Sequence, residues 1–324
     1  SHVDCNAFLG GILKNTGSNL MLSQTSDLTG AEADEYDRSF HQLTPYMAVI
    51  TAADPDHLDI YGNPGAYREG FEKFTSLIRP MGVLIMKHGI DITPQLQEGV
   101  KLYTYAANCD QADFHALNIR TGNGKLFFDF AGPSVFISDI ELGVPVRTNI
   151  ENAVAAISLA WLNGVAPDEI RNAMKTFAGA ERRFDFRVKK DNIVYIDDYA
   201  HHPEELSSCI RSVKELYAGR KVTGIFQPHP YTRTRDFMDG FAQSLSLLDQ
   251  LILLDIYPAR EELIPGITSQ VIFDKVTISD KILCTKAQLP EIIAAGRFEI
   301  VLTLGAGDID RLVEPVRIIL EHKT

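Results

Sequence analysis

The chain has 324 residues, long for one average domain, and its length favours two. Its composition, 45% hydrophobic and 23% charged, is ordinary for a globular protein able to build large cores. A net charge of −12 argues against a nucleic-acid or anionic-membrane surface and leaves only a local basic site open for an anionic ligand.

No apolar run is long enough to cross a bilayer; the longest, Ala153 to Leu162, includes a serine. No N-terminal stretch reads as a signal peptide. The four cysteines, Cys5, Cys109, Cys209 and Cys284, lie far apart without a C-x-x-C pair, so reduced thiols in a cytoplasm are expected, not zinc or a disulfide framework.

In chain order, the first distinctive stretch is "AEADEYDRSF" (Ala31 to Phe40), with four acids between Glu32 and Asp37 after what reads as a strand end. "YMAVITAA" (Tyr46 to Ala53) predicts a buried strand, and the polar loop "DPDHLDIYGNPG" follows it. A helix is expected over Pro64 to Ile78, with Tyr67, Phe71, Phe74 and Ile78 on one face. "GVLIMK" predicts the next strand. From Val100 to Leu142 the pattern is strand-rich, with "TGNG" (Thr121 to Gly124) as a hairpin turn. Helices are expected at Ile150 to Leu162 and Pro167 to Phe177.

Glycine and charge interrupt the pattern at "FAGAERRFDF", which sets the expected domains at 1–180 and 181–324. The remainder alternates: "NIVYID", a helix over Pro203 to Tyr217, "KVTGIF", a helix over Thr234 to Leu247, "QLILLDIY", a short helix over Leu289 to Ala295, "FEIVLTLG", and a last helix over Asp308 to His322. Such alternation predicts an α/β fold with a mainly parallel sheet, whose ligands gather beyond the carboxyl ends of the strands.

Three polar clusters follow predicted strands: the acidic opening stretch, the group Asp54, Asp56, His57 and Asp59, and "DDYAHHPEE" (Asp197 to Glu205). Carboxylates with few imidazoles and no thiolates suit a hard cation such as Mg2+. Solvated acidic loops are the plain alternative. His201 and His202 read equally well as an exposed pair at a helix start, ahead of Pro203. In "QPHPYTRTRD" Arg233 and Arg235 could hold a carboxylate or phosphate, although their i,i+2 spacing does not aim both at one ligand. Arg182 and Arg183 fall at the domain junction, where an interdomain ion pair is the plain reading. Asn149 could be a helix N-cap or could read a base edge, with Asn152 one turn on. "LGAGDID" lacks the third glycine of a dinucleotide fingerprint and reads as a tight strand-to-helix turn. No G-x-x-x-x-G-K-[ST] phosphate loop occurs in the 324 residues.

Taken together, "EADEYDRSF", "DHLDIYG", "NIENAVAAISLAW", "FAGAERRFD", "DDYAHHPEE", "FQPHPYTRTRDF" and "GAGDI" resemble the Mur ligase family, in the family's order and over nearly the whole chain. The resemblance implies most of a central ATPase domain, a largely parallel sheet with helices plus a small antiparallel sheet, followed by a Rossmann-like C-terminal domain. The family's UDP-binding N-terminal domain and phosphate loop are missing from the chain, so a fragment inactive by itself is expected. An incomplete central sheet would present an edge, which favours a homodimer.

Carried over by position, Glu32 and His57 match magnesium ligands, Asn149 and Asn152 the adenine side of ATP, and Asp198 the ribose contact. Tyr199, His201 and Arg233 match positions near the substrate and transferred phosphate, and Arg183 the closing domain interface. The implied cofactors are ATP and Mg2+, and the implied reaction is ATP-dependent amide formation. The "DDYAHHP" and "FQPH-x-YTRTRD" pair further implies UDP-N-acetylmuramate and L-alanine as its substrates, with no nucleic-acid or membrane partner. Two positions depart from the family pattern: Pro230 stands where arginine is common, and Thr148 where histidine often precedes the first asparagine. Relatives that recycle murein peptides or extend folate polyglutamates, and a binding module without turnover, remain as other readings.

Overall fold

The computed structural model describes residues 3–55 and 58–323. They form two compact units: the first runs to Thr121 and resumes at Lys125–Phe177, and the second holds Gly122–Gly124 and everything from Ala178 on.

The first unit begins with β1 (Asn6–Leu13), β2 (Ser18–Met21) and β3 (Thr29–Ala31), in the order β2-β1-β3. β1 pairs antiparallel with β2 and parallel with β3. Apart from the end of β3, this sheet has no counterpart among the predicted strands. Its apolar residues do not alternate with a buried face, and Phe8, Leu20 and Met21 are all exposed.

β4 (Met47–Ile50), α1 (Leu58–Tyr61), α2 (Pro64–Ser76), β5 (Val83–Lys87), β6 (Lys101–Ala106), β7 (Phe114–Gly122), β8 (Lys125–Gly132), β9 (Val135–Glu141), α3 (Arg147–Leu162) and α4 (Pro167–Thr176) follow. The six strands form one sheet in sequence order, parallel from β4 to β7 and antiparallel between β8 and β9. The strand-rich segment after Val100 therefore extends the parallel sheet. Asn123 (φ 51°) and Gly124 (φ 72°) both adopt left-handed backbone at the β7–β8 turn, as a two-residue hairpin matching the strand twist requires.

The apolar run of β5 is continuous because both faces of the strand are covered. Leu84 and Met86 pack with Phe40, Tyr67, Phe71 and Phe74 under α2, while Ile85 points the other way into a cluster with Phe128, Ile150 and Val154 of α3. α2 starts where predicted because Asn63 caps it, its side chain accepting the Ala66 N–H at 2.9 Å ahead of Pro64.

The second unit comprises β10 (Asp185–Lys189), β11 (Val194–Asp198), α5 (Pro203–Leu216), β12 (Val222–Phe226), α6 (Tyr231–Leu245), β13 (Gln250–Leu254), α7 (Ser269–Lys275), β14 (Lys281–Cys284), α8 (Leu289–Ala295), β15 (Ile300–Leu304) and α9 (Asp310–Glu321). The sheet order is β10-β11-β15-β12-β13-β14, with every pair parallel except β10–β11. All residues of β12 and β15 are buried, which explains their unbroken apolar runs. The short β10, α7 and β14 were not predicted. α6 begins three residues before the predicted Thr234, immediately after Pro230.

β15, last in the chain, inserts between β11 and β12. The chain therefore leaves β12 toward β13, whereas after β15 it enters α9, which packs back against β10 and β11; the connections part between β15 and β12, the kind of switch point at which a crevice opens beyond the strands' carboxyl ends.

Candidate active site

In the first unit the opening acids separate into distinct roles. Asp34 Oδ1 accepts the Tyr36 N–H and Asp37 Oδ1 accepts the Ser39 N–H, each at 3.0 Å, so these two carboxylates shape turns. Glu35 contributes its carbonyl, which accepts the Tyr61 hydroxyl at 2.6 Å. Glu32 differs: its Oε2 accepts the Gly10 N–H at 2.7 Å across from β1. A Cβ at residue 10 would run into the Glu32 carboxyl, so glycine there is what lets the acid lie against β1.

Asp56 and His57 lie outside the described residues, so only Glu32 of the two matched metal positions has a described setting. Among the described residues, no three His, Cys, Asp or Glu side chains cluster closely enough to cage a metal. Magnesium does not need such a cage, because it uses one or two carboxylates and keeps waters. A single oriented carboxylate such as Glu32 fits that chemistry.

The N-terminal half of α3 is tied to the carboxyl end of β5 by Lys87, whose Nζ lies 2.8 Å from Glu151 Oε2. Val146 occupies the N-cap, so Asn149 is in the first turn and not the cap. Its Nδ2 donates to the Val144 carbonyl at 3.3 Å, and Asn152 is exposed one turn on, the same helix face by its i,i+3 spacing. Two amides on one face beyond a parallel sheet suit a planar ligand with donor and acceptor edges.

The second unit concentrates its polar groups beyond β11, β15 and β12. Asp198, ending β11, accepts the Ala200 N–H at 2.8 Å and the Phe184 N–H at 2.7 Å, one on each oxygen. Burial raises its carboxyl above the ordinary range, and those two amides only partly offset the effect. The Tyr199 ring, 41% exposed, meets His201 edge-on with centroids 5.2 Å apart. His201 and His202 do sit at a helix start: Glu205 Oε2 accepts both their backbone N–H groups, at 2.8 and 3.1 Å, in the manner of a capping box.

The two arginines of α6 part company. Arg235 is exposed and paired with Asp236 at 2.7 Å, whereas Arg233 Nη1 turns back to the His229 carbonyl at 3.2 Å. His229 stacks on Tyr257, and its titration is depressed by burial first and then by the charges of Arg233 and His201. Thus His201, His229 and Arg233 share one electropositive corner, tempered by Glu261, which accepts the Thr232 N–H and hydroxyl. Pro230 fills the α6 N-cap position, after a cis peptide bond.

Several residues that the sequence reading had not assigned hold this corner together. Gln227, 1% exposed, donates from Nε2 to Asp308 Oδ1 at 2.9 Å and accepts the Ile309 N–H on Oε1 at 2.8 Å. Asp308 also pairs with Lys286; burial alone would raise its carboxyl, but the Lys286 and Gln227 hydrogen bonds outweigh that and hold it low. In the "GAGD" turn, Gly305 takes φ 136°, and a Cβ there would lie 2.8 Å from the Gln227 carbonyl oxygen. That close approach, with no dinucleotide fingerprint around it, makes the glycine a packing requirement. Arg182 proves to be an anchored side chain within this unit, paired with Asp197 at 3.2 Å, while Arg183 is exposed.

Among the described residues no helix is long and apolar enough to cross a membrane.

Comparison with known proteins agrees with this architecture. Residues 20–160 match the Mur ligase middle domain, and residues 182–307 match the domain described as "Mur ligase, glutamate ligase domain". The chain is 69% identical over 320 residues to the UDP-N-acetylmuramate–L-alanine ligase of Parabacteroides distasonis, covering 99% of this chain and 69% of that protein. It is 54% identical over 324 residues to the enzyme of the same name from Phocaeicola vulgatus, covering 100% of this chain and 70% of that one. Among solved structures, the UDP-N-acetylmuramate-alanine ligase of Thermotoga maritima superposes with a TM-score of 0.78 at 25% identity, over 98% of this chain and 68% of that one. With both domain matches in order and such identity sustained along its length, the chain belongs to the Mur ligase family.

Proposed function

We propose that this chain provides the ATP-binding and C-terminal domains of a ligase that joins L-alanine to the carboxylate of UDP-N-acetylmuramate, an early step of peptidoglycan precursor synthesis in the cytoplasm. The observation that carries the reading is the 69% identity, over 99% of this chain, to a relative bearing that name.

In this reading residues 1–180 bind ATP and residues 181–324 take the amino acid. ATP supplies the phosphoryl group that activates the carboxylate as an acyl phosphate, and Mg2+ neutralises phosphate charge. Glu32, with His57 beside it in the family pattern, is the donor for Mg2+, and its hydrogen bond to Gly10 fixes its orientation. Asn149 and Asn152 address the adenine edge, and Asp198 the ribose hydroxyls, with its carboxylate already aimed by two backbone amides.

Negative charge develops on phosphoryl oxygens in the first step and on the tetrahedral oxygen in the second. Arg233 is a permanent cation for such charge, and the Arg233–His229 contact directs its guanidinium. Burial first, and then the charges of Arg233 and His201, lower the titration of His229 beside it. His201, whose Nδ1 lies 3.0 Å from the Tyr199 carbonyl and 3.5 Å from Glu205 Oε2, is assigned to the substrate and transferred phosphate. Arg183, exposed at the start of the second unit, is assigned to domain closure.

The test is phosphate release with ATP, Mg2+, UDP-N-acetylmuramate and L-alanine, comparing the 324-residue chain with a version extended N-terminally by the family's UDP-binding domain and phosphate loop. Turnover that requires L-alanine is expected only from the extended protein, because no side chain assigned here can replace a loop of amides around the γ-phosphate. L-alanine-independent or absent turnover by a folded extended protein would refute the reading in favour of a binding module.

A further inference from the structure

We propose that Arg182 is a positioning residue: its guanidinium sets the Tyr199 ring and the Gly305 turn at the distance the nucleotide side of the site requires. The proposal deepens, and rests on, the ligase reading above.

Three contacts converge on this side chain. Nε lies 3.2 Å from Asp197 Oδ2, Nη2 donates to the Gly305 carbonyl at 2.6 Å, and the guanidinium carbon lies 5.1 Å from the Tyr199 ring centroid. The backbone adds a fourth link, because the Arg182 carbonyl accepts the Tyr199 N–H at 2.7 Å. One residue thus ties the end of β11, the turn after β15 and the exposed aromatic ring together.

The anchor under it is rigid. Asp197 is 1% exposed and accepts the Thr303 hydroxyl at 2.6 Å on its other oxygen, and Thr303 in turn contacts the Tyr195 hydroxyl at 3.1 Å. Burial pushes the Asp197 carboxyl upward despite the neighbouring guanidinium, so this pair is a costly element to keep in a core. Arg182 also takes φ 59°, a left-handed conformation that a non-glycine residue holds only when its surroundings fix it. A buried charge and a strained backbone at one residue are expected where geometry, and not stability alone, is being maintained.

The fork is essential to this role. Arginine can reach a carboxylate and a carbonyl from two nitrogens while its plane covers a ring, whereas lysine presents one compact charge. Tyr199 is then held between the Arg182 cation and His201, leaving the rest of the ring open to a ligand.

The test uses the N-terminally extended protein with Arg182→Met, Arg182→Lys and Arg182→Met/Asp197→Asn. The single methionine variant strands a buried carboxylate and is expected to lose thermal stability. The double variant removes that charge and recovers stability, so it separates positioning from folding. Its KM for ATP is expected to rise about 10–100-fold, the range found when groups that orient metal ligands are removed, with a smaller change in kcat. Arg182→Lys should fall between wild type and the double variant. Independently of turnover, 3-fluorotyrosine placed at residue 199 should show a 19F resonance that shifts and broadens in the double variant. A double variant with wild-type KM and an unmoved 19F signal would overturn the proposal, leaving Arg182 as a counter-ion for Asp197. A wild-type protein without L-alanine-dependent turnover, whose 19F signal still responds to Arg182, would overturn the ligase reading and keep the assignment of Arg182 to Tyr199.

Discussion

Replacing Gln227 by leucine tests how the second unit holds its crevice. The substitution keeps the side chain's approximate volume but removes both hydrogen bonds of a residue only 1% exposed. The bond to Asp308, at 2.9 Å to a charged carboxylate, is worth about 1.5–3 kcal/mol. The Ile309 N–H, buried and donating at 2.8 Å, is left without its acceptor, a cost of about 1–3 kcal/mol. Better burial of leucine's apolar atoms offsets part of this, about 1–2 kcal/mol, and Lys286 remains beside Asp308. The net loss is about 3 kcal/mol, on the order of a hundredfold in an opening equilibrium.

Hydrogen–deuterium exchange of peptides covering β12, β15 and Ile309 reads this directly. Protection is expected to fall by about two orders of magnitude, most at Ile309. Gln227→Glu is a useful partner: its carboxylate can still accept the Ile309 N–H but sits against Asp308, so its protection should improve as pH is lowered. Exchange in Gln227→Leu within twofold of wild type would show that this amide does not tie β12 to the α9 entrance.

Three further outcomes follow from the same geometry. Gly10→Ala should displace the Glu32 carboxylate, raising the Mg2+ concentration for half-maximal turnover of the extended protein about tenfold; an unchanged Mg2+ dependence would remove Glu32 from the metal site. Asn149→Leu should raise KM for ATP up to about tenfold, one hydrogen bond's worth, with kcat at saturating ATP little altered; an equal loss in both parameters would point to disrupted packing of α3. His229 is depressed in the fold relative to its ordinary 6.5, so its contribution to stability is full above that value and is lost as pH falls toward the lowered folded value. Melting temperature against pH should therefore decline on the acid side of neutrality in wild type and decline less in His229→Gln, and parallel curves would contradict the burial argument.

Much of the fold was legible from local pattern. The continuous apolar runs "VLIM", "VTGIF" and "IVLTL" mark strands covered on both faces, the Asn63-Pro64 start and the Tyr67, Phe71, Phe74 spacing mark α2, and Asn-Gly marks the β7–β8 turn. The sequence also showed the family, because long motifs such as "DDYAHHPEE" and "FQPHPYTRTRD" survive as contiguous text. It left β1 to β3 nearly unread, since strands without a buried face carry no period-2 signal.

Roles that depend on partners distant in sequence were decided by tertiary structure. Arg182 and Arg183 are indistinguishable as "RR", yet one is locked to Asp197 and Gly305 while its neighbour is exposed. Arg233 and Arg235 are likewise equal in the text, but the turn of α6 sends one to His229 and the other to Asp236. Asn149 reads as a cap until Val146 is seen to occupy that position. Gln227 gains its partners only because β15, the last strand to be made, inserts beside β12 and brings Asp308 and Ile309 with it. Periodicity and turn chemistry act over a few residues and so are written locally. Which charge is buried, and against what, is set by strand order, which brings together residues more than a hundred positions apart.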